Sequence, residues 1–248
     1  MTGRAEIVEG RNAVVEALRA GRRVTRVLIA DGTKPNPVLD EIRRLAAEAG
    51  VRVEPAQRRA LDELSPHGAH QGVVAYAAAF AFAALADVVA TGSAAPRSLV
   101  VALDHVTDPG NLGAVGRTCE AVGAHGLVIP KDRAASVTPV AEKAAAGAFS
   151  YLPVVQVANL VQALNALKDA GYWVAGAEEG GSAEIWDTAL DDHLVLVAGA
   201  EGSGLSRLTR ENCDLLVSLP VRGRVGSLNV AQAVTALSYE WLRRGHRE

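Results

Sequence analysis

The chain has 248 residues, 49% of them hydrophobic and 21% charged, which is ample material for a core and excludes a disordered chain. A formal net charge of −3 and only 4% aromatic residues argue against a uniformly basic nucleic-acid binder and against an aromatic platform for single strands. Cys119 and Cys213 stand alone without metal-ligand spacing, no apolar run reaches membrane-spanning length, and no basic-then-apolar leader opens the chain, so a reduced, cytoplasmic protein is expected.

Residues 11–19 read as a helix, with Asn12 as candidate cap and Gly21 as its stop, and residues 24–30 follow as a short strand. A second helix over 37–49 sets Leu39, Ile42, Leu45 and Ala46 on one face and ends at Gly50. Residues 51–53 are the next strand, 57–64 a third helix and 72–76 a further strand, together a small α/β unit. Residues 1–60 hold twelve Arg and Lys against eight Asp and Glu, whereas from Pro96 onward there are thirteen against seventeen. A basic module on a mildly acidic body fits an RNA-contacting unit, although charge alone fits a solvated surface better. His67 and His70 have no cysteine or acidic cluster beside them and read as a polar turn rather than a zinc site.

The alanine-rich stretch 77–98, with Gly92, Ser93 and Pro96, is expected as a linker with a short helix in its first part. Beyond it the pattern is that of a doubly wound sheet. Strands are expected at 98–103, 126–129, 154–157, 172–177, 193–198 and 214–219, and helices at 112–122, 139–146, 160–170 and 207–212. Continuous apolar runs such as 193–198 suit parallel strands buried on both faces. That strand empties into Gly199-Ala-Glu-Gly-Ser-Gly-Leu-Ser206, where Glu201 is a lone carboxylate inside a glycine turn. The last strand is ended by Pro220, which has no N–H for a ladder, and its loop runs through Gly223 and Gly226. Ser227 is the expected N-cap of a final helix whose Val230, Val234, Leu237 and Trp241 form an apolar stripe. Open α/β sheets take ligands at the carboxyl ends of their strands. One glycine loop feeding a helix is equally an ordinary strand–turn–helix; two close together are more informative.

The strand at 98–103 ends in Asp104-His-Val-Thr-Asp-Pro-Gly-Asn-Leu-Gly-Ala-Val-Gly-Arg117. Asn111 and Arg117 flank the first turns of a helix thinned by Gly110, Gly113 and Gly116, and an amide and a cation beside such a cleft suit a phosphate-bearing substrate. The glycine spacing is not G-x-G-x-x-G, and no G-x-x-x-x-G-K-[ST] loop occurs, so nicotinamide and nucleoside triphosphate readings lose support.

Three stretches together resemble the signature of the SpoU/TrmH branch of the SPOUT RNA 2'-O-ribose methyltransferases. They are Asp108-Pro-Gly-Asn-Leu-Gly-Ala-Val-Gly-Arg-Thr118, Gly199-Ala-Glu-Gly-Ser-Gly-Leu205 and Leu219-Pro-Val-Arg-Gly-Arg-Val-Gly-Ser-Leu-Asn-Val230. Gly10-Arg-Asn-Ala-Val-Val-Glu-Ala-Leu18, His70-Gln-Gly-Val-Val-Ala75, Val128-Ile-Pro-Lys-Asp-Arg133 and Arg207-Leu-Thr-Arg-Glu-Asn-Cys-Asp214 are similar to the members that modify a guanosine in the peptidyltransferase region of bacterial 23S rRNA. The resemblance implies an α/β fold in two parts. A small RNA-binding domain like a ribosomal protein (1–78) and a linker (79–97) precede a parallel-sheet domain (98–248) threaded into a deep trefoil knot.

The same resemblance implies S-adenosylmethionine held bent in the knot by Gly199, Gly202, Leu219, Val221 and Leu228, largely through backbone, with no metal. It makes Asn111, Arg117, Glu201, Ser227 and Asn229 the catalytic set, and a homodimer whose interface forms the active sites, with part of the Val230/Val234/Leu237/Trp241 surface between subunits. The implied activity is methylation of a ribose 2'-OH, in a guanosine of 23S rRNA. Alternatives are a tRNA or resistance-conferring rRNA ribose methyltransferase, or a catalytically silent RNA-binding or ribosome-assembly protein. A general-base role for Arg117, proposed in this family, sits badly with a guanidinium that stays charged; anchoring a phosphate and steadying alkoxide charge suit it better. Asn111, Ser227 and Asn229 would orient the ribose and the cofactor, and Glu201 would hold Arg117 or the loop. Ala231 stands where many members have Ser, Val221 where Met is usual, and Gly116 where a larger apolar residue often precedes the Arg; none of these removes a catalytic side chain. The Arg-rich N-terminal unit is expected to supply RNA affinity and to shift against its partner over the linker.

Overall fold

The structure, a computed structural model, describes residues 6–19, 22–65, 68–78, 80–181, 183–188, 190, 192–223 and 226–245. Gly21, the expected helix stop, and His67 lie outside them. The first unit is a four-stranded sheet in the order β1-β4-β2-β3, built from β1 (Glu6–Glu9), β2 (Val24–Ala30), β3 (Arg52–Ala56) and β4 (Val73–Ala77). β2 and β3 are parallel, and β4 runs antiparallel to both β1 and β2. β1 was not expected, because Glu6-Ile-Val-Glu9 is too short and too polar to show a period; its pairing with β4 makes it a strand. Helices α1 (Arg11–Arg19), α2 (Pro37–Glu48) and α3 (Arg58–Leu64) connect the strands. α2 starts because Asn36 Oδ1 accepts from the Leu39 N–H at 3.1 Å and Pro37 takes the first helical position. Its Leu39, Ile42 and Ala46 bury against Val14, Leu18, Val27 and Ala75, while Leu61 of α3 packs on the sheet's other face with Leu28 and Val74.

Residues 79–97, the expected linker, contain α4 (Leu85–Ser93). Val88 of α4 is buried among Val100, Ala102 and Val128, and a Cβ at Gly126 would meet Val88 Cγ1 at 2.8 Å, so the helix lies close against the second sheet. Ala83 also bridges Val155, its N–H donating to the Val154 carbonyl at 2.8 Å. This segment is seated on the sheet that follows rather than strung between two bodies.

That sheet has the order β7-β6-β5-β10-β8-β11-β9, every pairing parallel. Its elements are β5 (Ser98–Asp104), α5 (Pro109–Ala121), β6 (Gly126–Pro130), α6 (Pro139–Ala145), β7 (Val154–Val157), α7 (Leu160–Asp169), β8 (Trp173–Ala177), β9 (Ala183–Glu184), β10 (His193–Gly199), α8 (Arg207–Glu211), β11 (Leu215–Ser218) and α9 (Val230–Gly245). The strand period of two sorts the core. Leu99, Val101 and Leu103 face α5, α6 and α9, whereas Val100 and Ala102 face α4 and α7. The chain leaves β5 toward β6 and β7, then returns to place β10 between β5 and β8. Such a reversal of strand order is where doubly wound sheets open a crevice.

Val230, Val234, Leu237 and Trp241 are all buried within their own chain, in the core beneath α9. The stripe therefore packs on the sheet and is not left over for a subunit interface. The two units also touch: Arg22 and Glu142 form an ion pair with side chains only 14% and 13% exposed, and Tyr151 Oη donates to Glu16 Oε2 at 3.1 Å. These contacts oppose the free shifting expected of the N-terminal unit. Among the described residues no helix is long and apolar enough to cross a membrane, and no three His, Cys, Asp or Glu side chains gather as a metal would require.

Candidate active site

The glycine turn after β10 is held from below. Asp104, the last residue of β5 and 1% exposed, accepts the Ser206 N–H on Oδ2 at 2.7 Å and pairs with His105 through Oδ1. The turn closes on itself, the Gly204 N–H donating to the Ala200 carbonyl at 2.9 Å. A Cβ on Gly199 would overlap the Gly204 backbone, and Gly202 sits at φ +82°, so side chains are barred where the turn is tightest. Glu201 is consequently carried at the rim, exposed. Asp104 had no expected role; an acid ending an otherwise apolar strand is the signal that points to it.

At the same rim three side chains form one hub. Asn229 Nδ2 donates to Glu201 Oε1 at 2.6 Å and to Asn111 Oδ1 at 2.9 Å, and Asn111 Nδ2 donates to Glu201 Oε1 at 3.0 Å. Asn229 Oδ1 accepts from the N–H groups of Ala231 at 2.9 Å and Gln232 at 3.4 Å. Asn229, not Ser227, is thus the cap of α9, because its carbonyl also takes the first helical bond from Ala233. Capping and hub are one act: the amide that starts the helix is aimed by it at Glu201. Two neutral amides thus share one carboxylate oxygen, Oε1, and no cation among the described residues neutralises the group.

Arg117 lies elsewhere. Six residues on from Asn111, it stands roughly 120° round α5, exposed, without a hydrogen bond or ion pair to any described residue. The expected contact between Glu201 and Arg117 is absent; amides take its place. α5 itself is fixed on one side by Thr118 Oγ1, 2.7 Å from Thr235 Oγ1 of α9. On the other side a Cβ at Gly116 would overlap the Phe149 ring, which explains why a larger residue has no room there.

The hub borders a cleft of about 600 Å³ at the carboxyl ends of β8, β10 and β11. Ala198, Val217 and Leu237 line its apolar interior, and Gly199, Gly202, Leu219, Val221, Ser227 and Leu228 line its walls and mouth. Every expected cofactor residue is therefore on this cleft, together with Glu201, Ser227 and Asn229, while Asn111 touches it only through the hub and Arg117 is not on it. Glu178 and Glu179 were missed; they follow β8, a strand end read as apolar, and Glu178 is taken by Arg210 at 2.9 Å. Burial pushes the Cys213 thiol up to about 12 and the Cys119 thiol up as well, so both hold their protons and supply no nucleophile.

Residues 98–239 match the SpoU rRNA Methylase family, and residues 7–83 match a domain described as RNA 2'-O ribose methyltransferase substrate binding. An uncharacterized tRNA/rRNA methyltransferase of Mycolicibacterium gilvum is 42% identical over 250 residues, 98% of this chain and 78% of the relative. A Bacillus subtilis protein named for the TrmH family of tRNA/rRNA methyltransferases is 38% identical over 245 residues, 98% of each chain. The SpoU methyltransferase AviRb from Streptomyces viridochromogenes, crystallised with AdoMet, superposes with a TM-score of 0.81 at 29% identity, over 98% of this chain and 91% of that one. Fold, cleft and both matched segments agree: this chain belongs to the SpoU rRNA methylase family.

Proposed function

We propose that this chain transfers a methyl group from S-adenosylmethionine to a ribose 2'-hydroxyl of RNA in the cytoplasm, with a guanosine of 23S rRNA as target and a homodimer as the working unit. The observation that carries it is the Asn111–Glu201–Asn229 hub on the rim of a glycine-walled cleft. The cleft fits that cofactor: an apolar interior suits adenine, and the Gly199 cradle lets backbone groups approach where a Cβ would intrude. When bound, S-adenosylmethionine supplies a sulfonium-activated methyl that needs no metal. With it bound, the ribose oxygen would take the methyl carbon as the carbon–sulfur bond broke, with S-adenosylhomocysteine as leaving group and the hydroxyl proton passing to water at the open rim.

The chain's own task is alignment and charge. Backbone at Gly199, Gly202, Leu219, Val221 and Leu228 holds the cofactor, while Asn111, Ser227 and Asn229 orient the ribose and Glu201 keeps the two amides in place. Arg117, turned away from its own hub and without a partner among the described residues, serves the cleft of the second protomer, anchoring the adjacent phosphate and steadying alkoxide charge. A trefoil knot belongs to the same proposal; insertion of β10 between β5 and β8, with both following loops at one mouth, supports it.

Calorimetry with chelator present should register S-adenosylmethionine binding and no response to NADH; well-folded protein that ignores S-adenosylmethionine contradicts the proposal. Mapping 2'-O-methyl groups across rRNA and tRNA in a deletion strain should show one guanosine of 23S rRNA unmethylated, and a missing tRNA mark instead moves the target to tRNA. A sedimenting monomer with full activity rules out the dimer.

A further inference from the structure

We infer that the N-terminal unit carries a subsite for one unpaired RNA nucleotide and its flanking phosphates, in a cleft lined by Arg11, Asp31, Lys34, Asn36, Arg58 and Gln71. It rests on the proposal that the chain modifies RNA, and it locates where, away from the methyl-transfer cleft, the RNA is gripped. Topology gathers these residues. β1 runs in the same direction as β2 and β3, because β4 is antiparallel to β1 and β2. Arg11 follows β1, Asp31 to Asn36 follow β2, Arg58 follows β3, and Gln71 precedes the antiparallel β4. All emerge at one edge of the sheet, around a space of about 660 Å³, within the range of small-ligand sites.

The charges there are free in a way that most of the unit's charges are not. Arg19, Arg22, Arg26, Arg43, Arg44 and Arg59 are each ion-paired with a carboxylate. Lys34 and Arg58 are exposed and pair with no described residue, and Arg11 is held only through Nε, which donates to the Gln71 carbonyl at 3.0 Å. Arg23 and Arg52 also lack a described acidic partner, but they precede β2 and start β3, at the opposite edge. Three cations from three different segments, the start of α1, the loop after β2 and the start of α3, none ion-paired with a described residue, suit phosphate groups.

Phosphates alone do not account for Asp31, a carboxylate in a basic cleft with no ion-pair partner among the described residues, or for Gln71. Both can address a base edge, the carboxylate accepting from ring or exocyclic N–H groups and the amide doing either. The floor beneath them is preset. Buried His70 accepts the Gly72 N–H on Nδ1 at 3.0 Å and its Nε2 lies 2.9 Å from Asp62, fixing Gln71 at φ +50°. A base edge is open to such groups only where the RNA is single-stranded or looped.

The test uses the full chain, fluorescent single-stranded RNA homopolymers of each base, and an RNA duplex of the same length. In the doubly substituted Lys34→Glu, Arg58→Glu protein, anisotropy should show single-strand affinity lowered at least about tenfold, with calorimetric S-adenosylmethionine affinity and melting temperature unchanged. Asp31→Asn should reorder affinities among the four homopolymers while leaving the salt dependence as in the parent. Unchanged single-strand binding by the double variant overturns the inference. So does parental binding to duplex as tight as to single strands, which would mean a phosphate surface only, or displacement of the RNA by polyglutamate, which would mean an acidic-peptide site. Parental protein that methylates RNA while the double variant keeps full affinity refutes the subsite and spares the catalytic proposal. Charge-dependent single-strand binding without any methyl transfer does the reverse.

Discussion

Two clefts of similar size open at the carboxyl ends of parallel strands in this chain, and their linings have little in common. The one at β8, β10 and β11 has an apolar interior, glycine walls and a carboxylate held by two amides. The one at the edge of β2 and β3 is rimmed by Arg11, Lys34 and Arg58 and has almost no apolar lining residue. The same topological position thus suits two different kinds of ligand. Backbone geometry makes the crevice, and the residues that follow each strand choose its charge. A cofactor with a cationic centre suits the first lining and a polyanion the second.

The largest effect should come from separating the two clefts at the chemical step. Arg117→Ala should lower methyl transfer at saturating RNA by roughly a hundredfold or more, with S-adenosylmethionine affinity in calorimetry nearly intact. Arg117→Lys should fail too, because a point charge lacks the planar fork. Near-normal turnover of either variant would remove Arg117 from the reaction.

Next in size is physical division. A chain beginning at Phe80 keeps Ala83 on Val155 and Val88 in its niche. It should fold, bind S-adenosylmethionine and lose about tenfold or more in RNA affinity, and binding by the full chain should weaken steeply with salt. A chain beginning at Pro96 should be less stable by roughly 1.5–3 kcal/mol, the worth of one buried valine, measurable by urea titration. Equal RNA affinity of full-length and shortened chains would place recognition on the catalytic sheet.

A smaller effect distinguishes cap from hub at Asn229. Asn229→Ala should cost about 1 kcal/mol of stability through the lost cap and weaken S-adenosylmethionine binding. Asn229→Asp keeps an acceptor for the Ala231 N–H but sets a second carboxylate against Glu201, so melting temperature should hold better than affinity. Variants that fall equally in both measures would mean that the hub is only structural.

The smallest effect contrasts the acid sensitivity of the two units. Glu240 of α9 is 4% exposed, and its bonds from Arg243, then Arg244, depress its pKa from 4.5 to about 2. A depressed carboxylate contributes stability above its unfolded pKa and loses that contribution as pH falls from about 4.5 toward 2. The Asp40–Arg43 and Arg44–Glu48 ion pairs within α2 are exposed pairs three and four residues apart and contribute little at any pH. Below pH about 4.5 the catalytic unit should therefore lose stability first, and Glu240→Gln should flatten the fall in its melting temperature. An unchanged acid slope in that variant would assign the sensitivity elsewhere.

What the sequence determined by itself is what local chemistry dictates. Unbroken apolar runs marked β5 and β10 as buried strands, the spacing of Leu39, Ile42, Leu45 and Ala46 marked α2, and the glycine turns marked where the cleft walls lie. The three motif stretches also carry the family resemblance. Only the tertiary structure decided which groups meet. β1 exists because β4 offers it a ladder, and α4 is docked because Gly126 leaves space for Val88. The α9 stripe faces its own sheet because the returning chain covers it, leaving a dimer to other surfaces. Asn229 rather than Ser227 caps α9, since only there does one amide satisfy the helix start and Glu201 together. Periodicity is a property of a few neighbouring residues, but the partner of Glu201 was settled by loops that bring Asn111 to it from ninety positions away. Arg117 turns from that hub for an equally simple reason: six residues along a helix do not return to the same face.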